Sequence, residues 1–197
     1  MPNWTDVNLI ISGDPAALAE IYEARLNFQK LHPCPFITGE GKNDEDWYWH
    51  EGWYEWCSSH WGTKWPARGV NIDYTMDSGE LMAYFTTAWS VPHGFLAYLT
   101  IKYPSLKIVA TWEDDSFDCV GESTYSDGNF VSKSIDPSLY KPAALLAFAD
   151  SREWFSYDNY WSSIGDSLED DDIEVLGTDI ETNVRQCSYE DFIKMVF

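Results

Sequence analysis

Cations are scarce in this chain of 197 residues. Twelve Lys and Arg stand against 33 Asp and Glu, a net charge of −21. Nucleic acid is bound by neutralising its phosphates with Lys and Arg, and no basic patch is visible, so direct binding to DNA or RNA is excluded from the expected roles. Anionic membrane surfaces are disfavoured by the same Coulomb argument. Cysteines are few and far apart, Cys34, Cys57, Cys119 and Cys187, with no pair at two-residue spacing. That distribution suits free thiols in a reducing compartment rather than a disulfide framework. No apolar run approaches the ~18 residues needed to cross a bilayer, and Met1 to Asp6 shows no basic stretch leading into an apolar one. The expectation is a soluble protein of the (host-cell) cytoplasm. Catalytic signatures are also missing, with no Gly-x-Ser-x-Gly, phosphate-cradling Gly loop or paired-acid motif, so no enzyme and no cofactor is expected.

Aromatic residues, by contrast, are abundant at 17% of the chain, 11 of them Trp. Trp61-Gly62-Thr63-Lys64-Trp65 places two indoles four residues apart around a single cation. Each indole carries roughly 150–250 Å² of ring surface that must be covered. With Thr87-Ala88-Trp89-Ser90-x-Pro92 downstream, this stretch reads as the junction where an irregular aromatic insertion docks onto a regular sheet.

The regular elements follow from periodicity. Residues 7–13 form a β-branched run that stops at Gly13. Asp14-Pro15 then supplies an N-cap and a first-turn proline, followed by Leu18, Ile21 and Leu26 at helical spacing. Residues 28–66 are irregular; Asp44 or Asp46 is expected to cap a helix running from Trp47 through Cys57. Alternation over 70–76 and the run 81–89 predict a hairpin around Asp77-Ser78-Gly79-Glu80. A helix after Pro92 carries Phe95, Leu96 and Leu99, residues 106–112 make a fourth strand, and 117–123 and 129–134 add a meander. The order strand, helix, strand, strand, helix, strand is that of a ferredoxin-like α+β fold, an antiparallel sheet with helices on one face. The expected organisation is a domain over 1–136 with an aromatic helical insertion at 28–66, and a mostly helical acidic extension over 137–197. Residues 137–197 hold 13 acids and 4 bases. Ser188-Tyr189-Glu190-Asp191 there resembles a capping-box start for a last helix.

The opening Met1-Pro2-Asn3-Trp4, the Trp61 to Trp65 stretch with Ala67, Thr87-Ala88-Trp89-Ser90-x-Pro92 and Tyr103-Pro104-Ser105-Leu106 together resemble YubB-type ferredoxin-like proteins of plasmids, integrative elements and phages, over about residues 1–124. Thr5 and Pro66 depart from that pattern, standing where a Cys and an Asp are usual. The resemblance implies the fold and a mobile-element origin; it implies no reaction.

Several groups of residues carry candidate chemistry. His50, Cys57 and His60, with Cys34 or His32, are zinc-ligating types, but paired Cys motifs are lacking and packing roles are expected; no metal is assigned. Cys57 with His60, and Cys119 with His93, are the pairings a nucleophile and base would need, again without a supporting motif. The primary expectation is an anti-defence protein of a phage or mobile element, a DNA-mimic-like inhibitor of anti-CRISPR or anti-restriction type. It would offer carboxylates to a basic host protein whose groove is built for phosphates, with exposed aromatics fixing the dock. Its partner-binding candidates are Asp166, Glu169, Asp170, Asp171, Asp172 and Glu174, then Glu113, Asp114 and Asp115, with Trp61 and Trp65 as anchors. The alternative is a nucleotide or small-molecule module whose pocket is the Trp-rich insertion, with Lys64, Arg68 and Trp53 as ligand-binding candidates. Oligomeric state is not legible from the sequence.

Overall fold

The computed structural model describes residues 3–39, 47–75, 79–115, 119–136 and 183–195. In chain order the elements are β1 (Trp4–Ser12), α1 (Pro15–Glu23), α2 (Phe28–Leu31), β2 (Ile37–Thr38), β3 (Tyr48–Trp49), α3 (Trp53–Trp56), a π-helical turn (Cys57–Trp61), β4 (Arg68–Thr75), β5 (Glu80–Ala88), α4 (His93–Lys102), β6 (Lys107–Asp114), β7 (Val120–Ser126), β8 (Asn129–Ile135), β9 (Asn183–Ser188) and α5 (Tyr189–Met195). Seven strands form one sheet in the order β4-β5-β1-β6-β7-β8-β9, and every neighbouring pair is antiparallel. The first four of these strands have the ferredoxin-like arrangement, with β1 central between β5 and β6.

Period-two alternation divides β1 between two faces. Val7, Leu9 and Ile11 are buried, and in register with them Phe85, Ala83 and Leu81 of β5 and Ala110 and Ile108 of β6 face the same layer. Leu18 and Ile21 of α1 and Phe95, Leu96 and Leu99 of α4 close this core. The start of α1 matches the reading from sequence: Asp14 Oδ1 accepts the Ala16 N–H at 2.8 Å beside Pro15. Arg25 and Leu26 at φ 54° and 50° then end the helix in left-handed conformation, a strain held in place by the complete burial of Leu26.

The insertion differs from expectation. Tyr48 and Trp49 are not helical; they pair with Thr38 and Ile37 in a small two-stranded sheet. Gly52, at φ 92°, cannot continue a helix, and its α-carbon approaches the Phe36 ring so closely that a Cβ would lie 3.3 Å from it. The helix therefore begins only at Trp53. The proposed caps Asp44 and Asp46 lie outside the described residues, as do the helix candidates at 141–149 and 152–164.

After α3 the chain widens into the π-helical turn, closed by the Gly62 N–H bonding to Cys57 O at 3.1 Å. This single wide turn swings Trp61 into the core. Its ring is fully buried, edge-on to Phe28 at 5.6 Å, and Phe28 in turn stacks on Phe95 at 3.7 Å. Trp61 Nε1 donates to His32 O at 2.9 Å, satisfying a buried acceptor.

The described end of the chain completes the sheet. β9 was not expected from sequence, yet it pairs with β8 over Asn129↔Ser188 to Ser134↔Asn183. α5 follows with the anticipated cap, Ser188 Oγ accepting the Asp191 N–H at 3.1 Å. Phe192 of α5 is buried against Phe130, and the Tyr189 hydroxyl is hydrogen bonded to His32 Nε2 at 2.8 Å.

Two measurements check this packing. Gly94, in the first turn of α4, has no room for a Cβ beyond the His60 carbonyl. Helix propensity alone would make Gly94→Ala stabilising by about 1 kcal/mol; the clash with backbone reverses the sign, and a loss of about 1–3 kcal/mol is expected in denaturant unfolding. Burial holds His32 and His93 neutral, each pushed down to about 3. An unfolded chain takes up these protons near pH 6.5, so stability falls as pH drops below 6.5, by about 1.4 kcal/mol per pH unit for each histidine. Melting between pH 6.5 and 5, above most carboxylate titration, reads this slope, to which burial of His60 adds in the same direction, and His93→Gln makes it shallower without abolishing it.

Candidate functional site

The face of the sheet opposite α1 and α4 carries the second half of each alternation. Among the described residues no helix packs on its β4-β5-β1-β6 part. Ile10, Met82, Tyr84 and Val109 lie here 45, 51, 41 and 37% exposed. The register explains why they form one strip, since Ile10 pairs with Met82 on one side and with Val109 on the other. Asn8, Asn71 and Thr111 complete a shallow depression of about 290 Å³. Scattered exposed apolar side chains are normal on any surface; four in contact across adjacent strands are a patch.

Carboxylates border this strip. Asp73 of β4 is in register with Met82 and lines the depression. Asp6 pairs across β1 and β6 with Glu113, and the Tyr84 hydroxyl donates to Asp6 Oδ1 at 2.8 Å. That bond pushes the Tyr84 phenol up to about 12. Partial burial, then the nearby Asp6 and Asp114 charges, raise the Glu113 carboxyl above the usual carboxylate range. Two carboxylates directly opposite each other repel in the absence of a cation, so this end of the strip is a place where an approaching positive charge relieves an existing cost.

The residues expected from sequence fall in different places. Glu113 belongs to this face. Asp114 is turned to a structural task, its Oδ1 accepting the Cys119 N–H at 3.1 Å, and the Asp115 N–H donates to Trp4 O at 2.8 Å. Asp166, Glu169, Asp170, Asp171, Asp172 and Glu174 lie outside the described residues. Trp61 as a partner anchor is corrected: it is 0% exposed and its indole N–H is already bound. Trp65 is half-buried, with the Lys64 ammonium 4.5 Å and the Arg68 guanidinium 5.5 Å from its ring and Trp4 at 6.2 Å.

Of Lys64, Arg68 and Trp53, the two cations share the Trp65 ring, at 4.5 and 5.5 Å, and Trp53 packs elsewhere. Trp53 packs edge-on to Trp49 at 4.6 Å, and Arg68 sits over Trp4 at 5.1 Å. The cavity beside Lys64 is bounded by Tyr54, Trp89 and Arg185. Arg185 could not be linked to Lys64 from sequence, because the strand that carries it was not legible there.

The histidines and thiols have separate partners. His32 stacks on Tyr98 at 3.6 Å, His60 on Trp56 at 4.3 Å, and His50 bonds the Thr38 hydroxyl. Burial pushes the Cys57 and Cys34 thiols up, away from the reactive thiolate. Among the described residues no group of three or more His, Cys, Asp or Glu could hold a metal ion, and no helix is long and apolar enough to cross a membrane.

The element order, the sheet order and the two helices on one face are those of a ferredoxin-like domain, and sequence comparison agrees. A family model described as the ferredoxin-like domain in Api92-like protein matches residues 60–145. The fold is ferredoxin-like. The matched span of this ferredoxin-like domain starts at the π-helical turn and runs through β8, so the Trp61 junction lies inside the likeness, whereas β1, β9 and α5 lie outside it. No curated protein and no solved structure matches the chain.

The raised Glu113 carboxyl has a direct consequence. The folded chain binds this proton more tightly than the unfolded one, so ionising Glu113 costs stability as pH rises through its folded value. Glu113→Gln should raise the melting temperature at pH 7, with the difference fading as pH falls toward about 4.3, where the unfolded carboxyl is itself protonated.

Proposed function

We propose that this ferredoxin-like chain is a non-enzymatic docking protein that binds a basic partner protein through the open sheet face. One observation carries the reading: the apolar strip of Ile10, Met82, Tyr84 and Val109 is bordered by Asp6, Asp73 and Glu113 in a chain of net charge −21. Apolar side chains at the centre supply the desolvated contact, and carboxylates at the margin select cations and steer the encounter. The partner class that fits is a protein whose groove is lined with Lys and Arg for phosphates. The likeness of residues 1–124 to YubB-type proteins of mobile elements favours a nucleic-acid-targeting defence protein of the host as that partner, with the chain acting as an inhibitor in place of DNA.

Binding to a panel of restriction endonucleases and CRISPR effectors tests this. The expected result is an association that competes with DNA and weakens at least about tenfold between 50 and 200 mM salt. Asp73→Lys with Glu113→Lys should slow association about tenfold, and Met82→Asp should speed dissociation. Salt-insensitive binding, or no binding to any basic nucleic-acid enzyme, would overturn the proposal.

A further inference from the structure

On the helix-covered side of the sheet, away from the docking face, a cavity of about 370 Å³ opens between the π-helical turn, the β5–α4 junction and α5. Among the described residues its wall contains Lys64 and Arg185 and no Asp or Glu, in a chain where acids outnumber bases 33 to 12. A second cavity of about 240 Å³ shares His93 and Arg185 with it, and its other described lining residues are Ser132, Ser134, Asn183, Val184 and Trp112.

The two cations are held by aromatic rings and not by counter-ions in the contacts described. The Lys64 ammonium lies 4.9 Å from the Trp89 ring, 4.5 Å from Trp65 and 5.8 Å from Tyr54. The Arg185 guanidinium lies 5.6 Å from the Phe192 ring and 5.8 Å from Phe130. Ring contacts orient a cation without neutralising its charge, so both remain available to an anion. Two nearby hydroxyls are committed as donors, Thr63 Oγ1 to Ala88 O at 2.8 Å and Ser90 Oγ to Gly62 O at 2.6 Å; they shape the wall.

Trp89 adds an independent observation. It is the residue between the end of β5 and Ser90, its φ is 73°, and it is nevertheless 49% exposed. A left-handed conformation costs a non-glycine residue about 1–2 kcal/mol, and burial of the ring does not explain the expense. The strained backbone sets the indole at the cavity mouth, edge-on to Tyr54 at 6.3 Å. Strain of this kind gathers at ligand sites.

We propose that this cavity binds a small planar molecule bearing a phosphate monoester, of the nucleoside monophosphate type, with the phosphate between Lys64 and Arg185 and the ring against Trp89. A phosphate monoester carries about −1.5 to −2 at pH 7, which two cations match; a carboxylate would leave one of them uncompensated. The volume is at the size of small-ligand pockets, which begin at about 300 Å³. The site goes beyond the docking reading and uses none of its residues.

The test is titration of the full chain with AMP, GMP, CMP and UMP, read by tryptophan fluorescence and by melting temperature, with inorganic phosphate and adenosine as controls. At least one nucleotide should bind more tightly than either control. Lys64→Gln and Arg185→Gln should each weaken it about tenfold or more, as loss of a charge-assisted contact does, while Arg185→Lys recovers part of the loss. Because glycine adopts φ 73° freely, Trp89→Gly removes the ring without adding strain; this variant should stay folded and lose the preference for nucleotide over inorganic phosphate. The remote variant Lys30→Gln and the sheet-face variant Asp73→Lys should bind as the parent does, which separates this site from the docking face. No nucleotide binding at about 5 mM, or an affinity unmoved by Lys64→Gln and Arg185→Gln in variants that melt normally, would overturn the proposal, as would binding of inorganic phosphate as tight as that of every nucleotide.

Discussion

The packing of Trp61 is the constraint on which the rest of the molecule depends. A single wide turn in the chain drives this indole between Phe28 and Trp56, and its N–H reaches the carbonyl of His32. Through those contacts the irregular insertion becomes part of the core and is not an appendage. The next residues are stapled to the sheet by hydroxyl bonds: Thr63 to Ala88, Ser90 to Gly62, and Thr87 to Ser90. Gly62 and Gly94 let two backbones approach where Cβ atoms would collide with Phe192 and the His60 carbonyl. The same contact zone reaches the end of the chain, since Phe192 and Tyr189 lean on residues that the insertion has positioned.

Buried polar groups in this zone are satisfied in pairs. His32 stacks on Tyr98 and bonds Tyr189; His93 stacks on Phe130 and bonds Tyr125 at 2.7 Å. Each histidine thus links elements far apart in sequence, and each does so as a neutral ring. An interior built this way tolerates the large surface charge because the repulsion acts among solvated carboxylates, where screening is strong, whereas the ring contacts are buried or half-buried.

Much of the fold was legible before the structure. Asp14-Pro15 and the alternation in β4 and β5 are local signals, and local signals settle local geometry. The insertion was misread because a dense run of aromatics has no period, so nothing in it separates a helix from a small strand pair; Gly52 decided the matter through a close approach to Phe36 that depends on the folded chain. β9 was missed because Asn183 to Ser188 lacks the apolar alternation of a strand, and its partner is an edge some fifty residues earlier in the chain. The candidate sites fared less well for the same reason. Trp61 and Trp65 look equivalent in sequence, yet one is fully buried and the other half-buried, and Lys64, which shares the Trp65 ring with Arg68, also lines a cavity with Arg185.

By itself the sequence determined the charge balance and the order of strands and helices outside the aromatic insertion and the last strand, because these follow from composition and from periods of two and 3.6 residues. Tertiary structure alone decided which aromatics are core and which are surface, which carboxylates share a face with Ile10 and Met82, and which cations share a cavity. Those outcomes depend on strand register and on contacts between residues from about thirty to more than a hundred positions apart, and no local pattern in the chain encodes them.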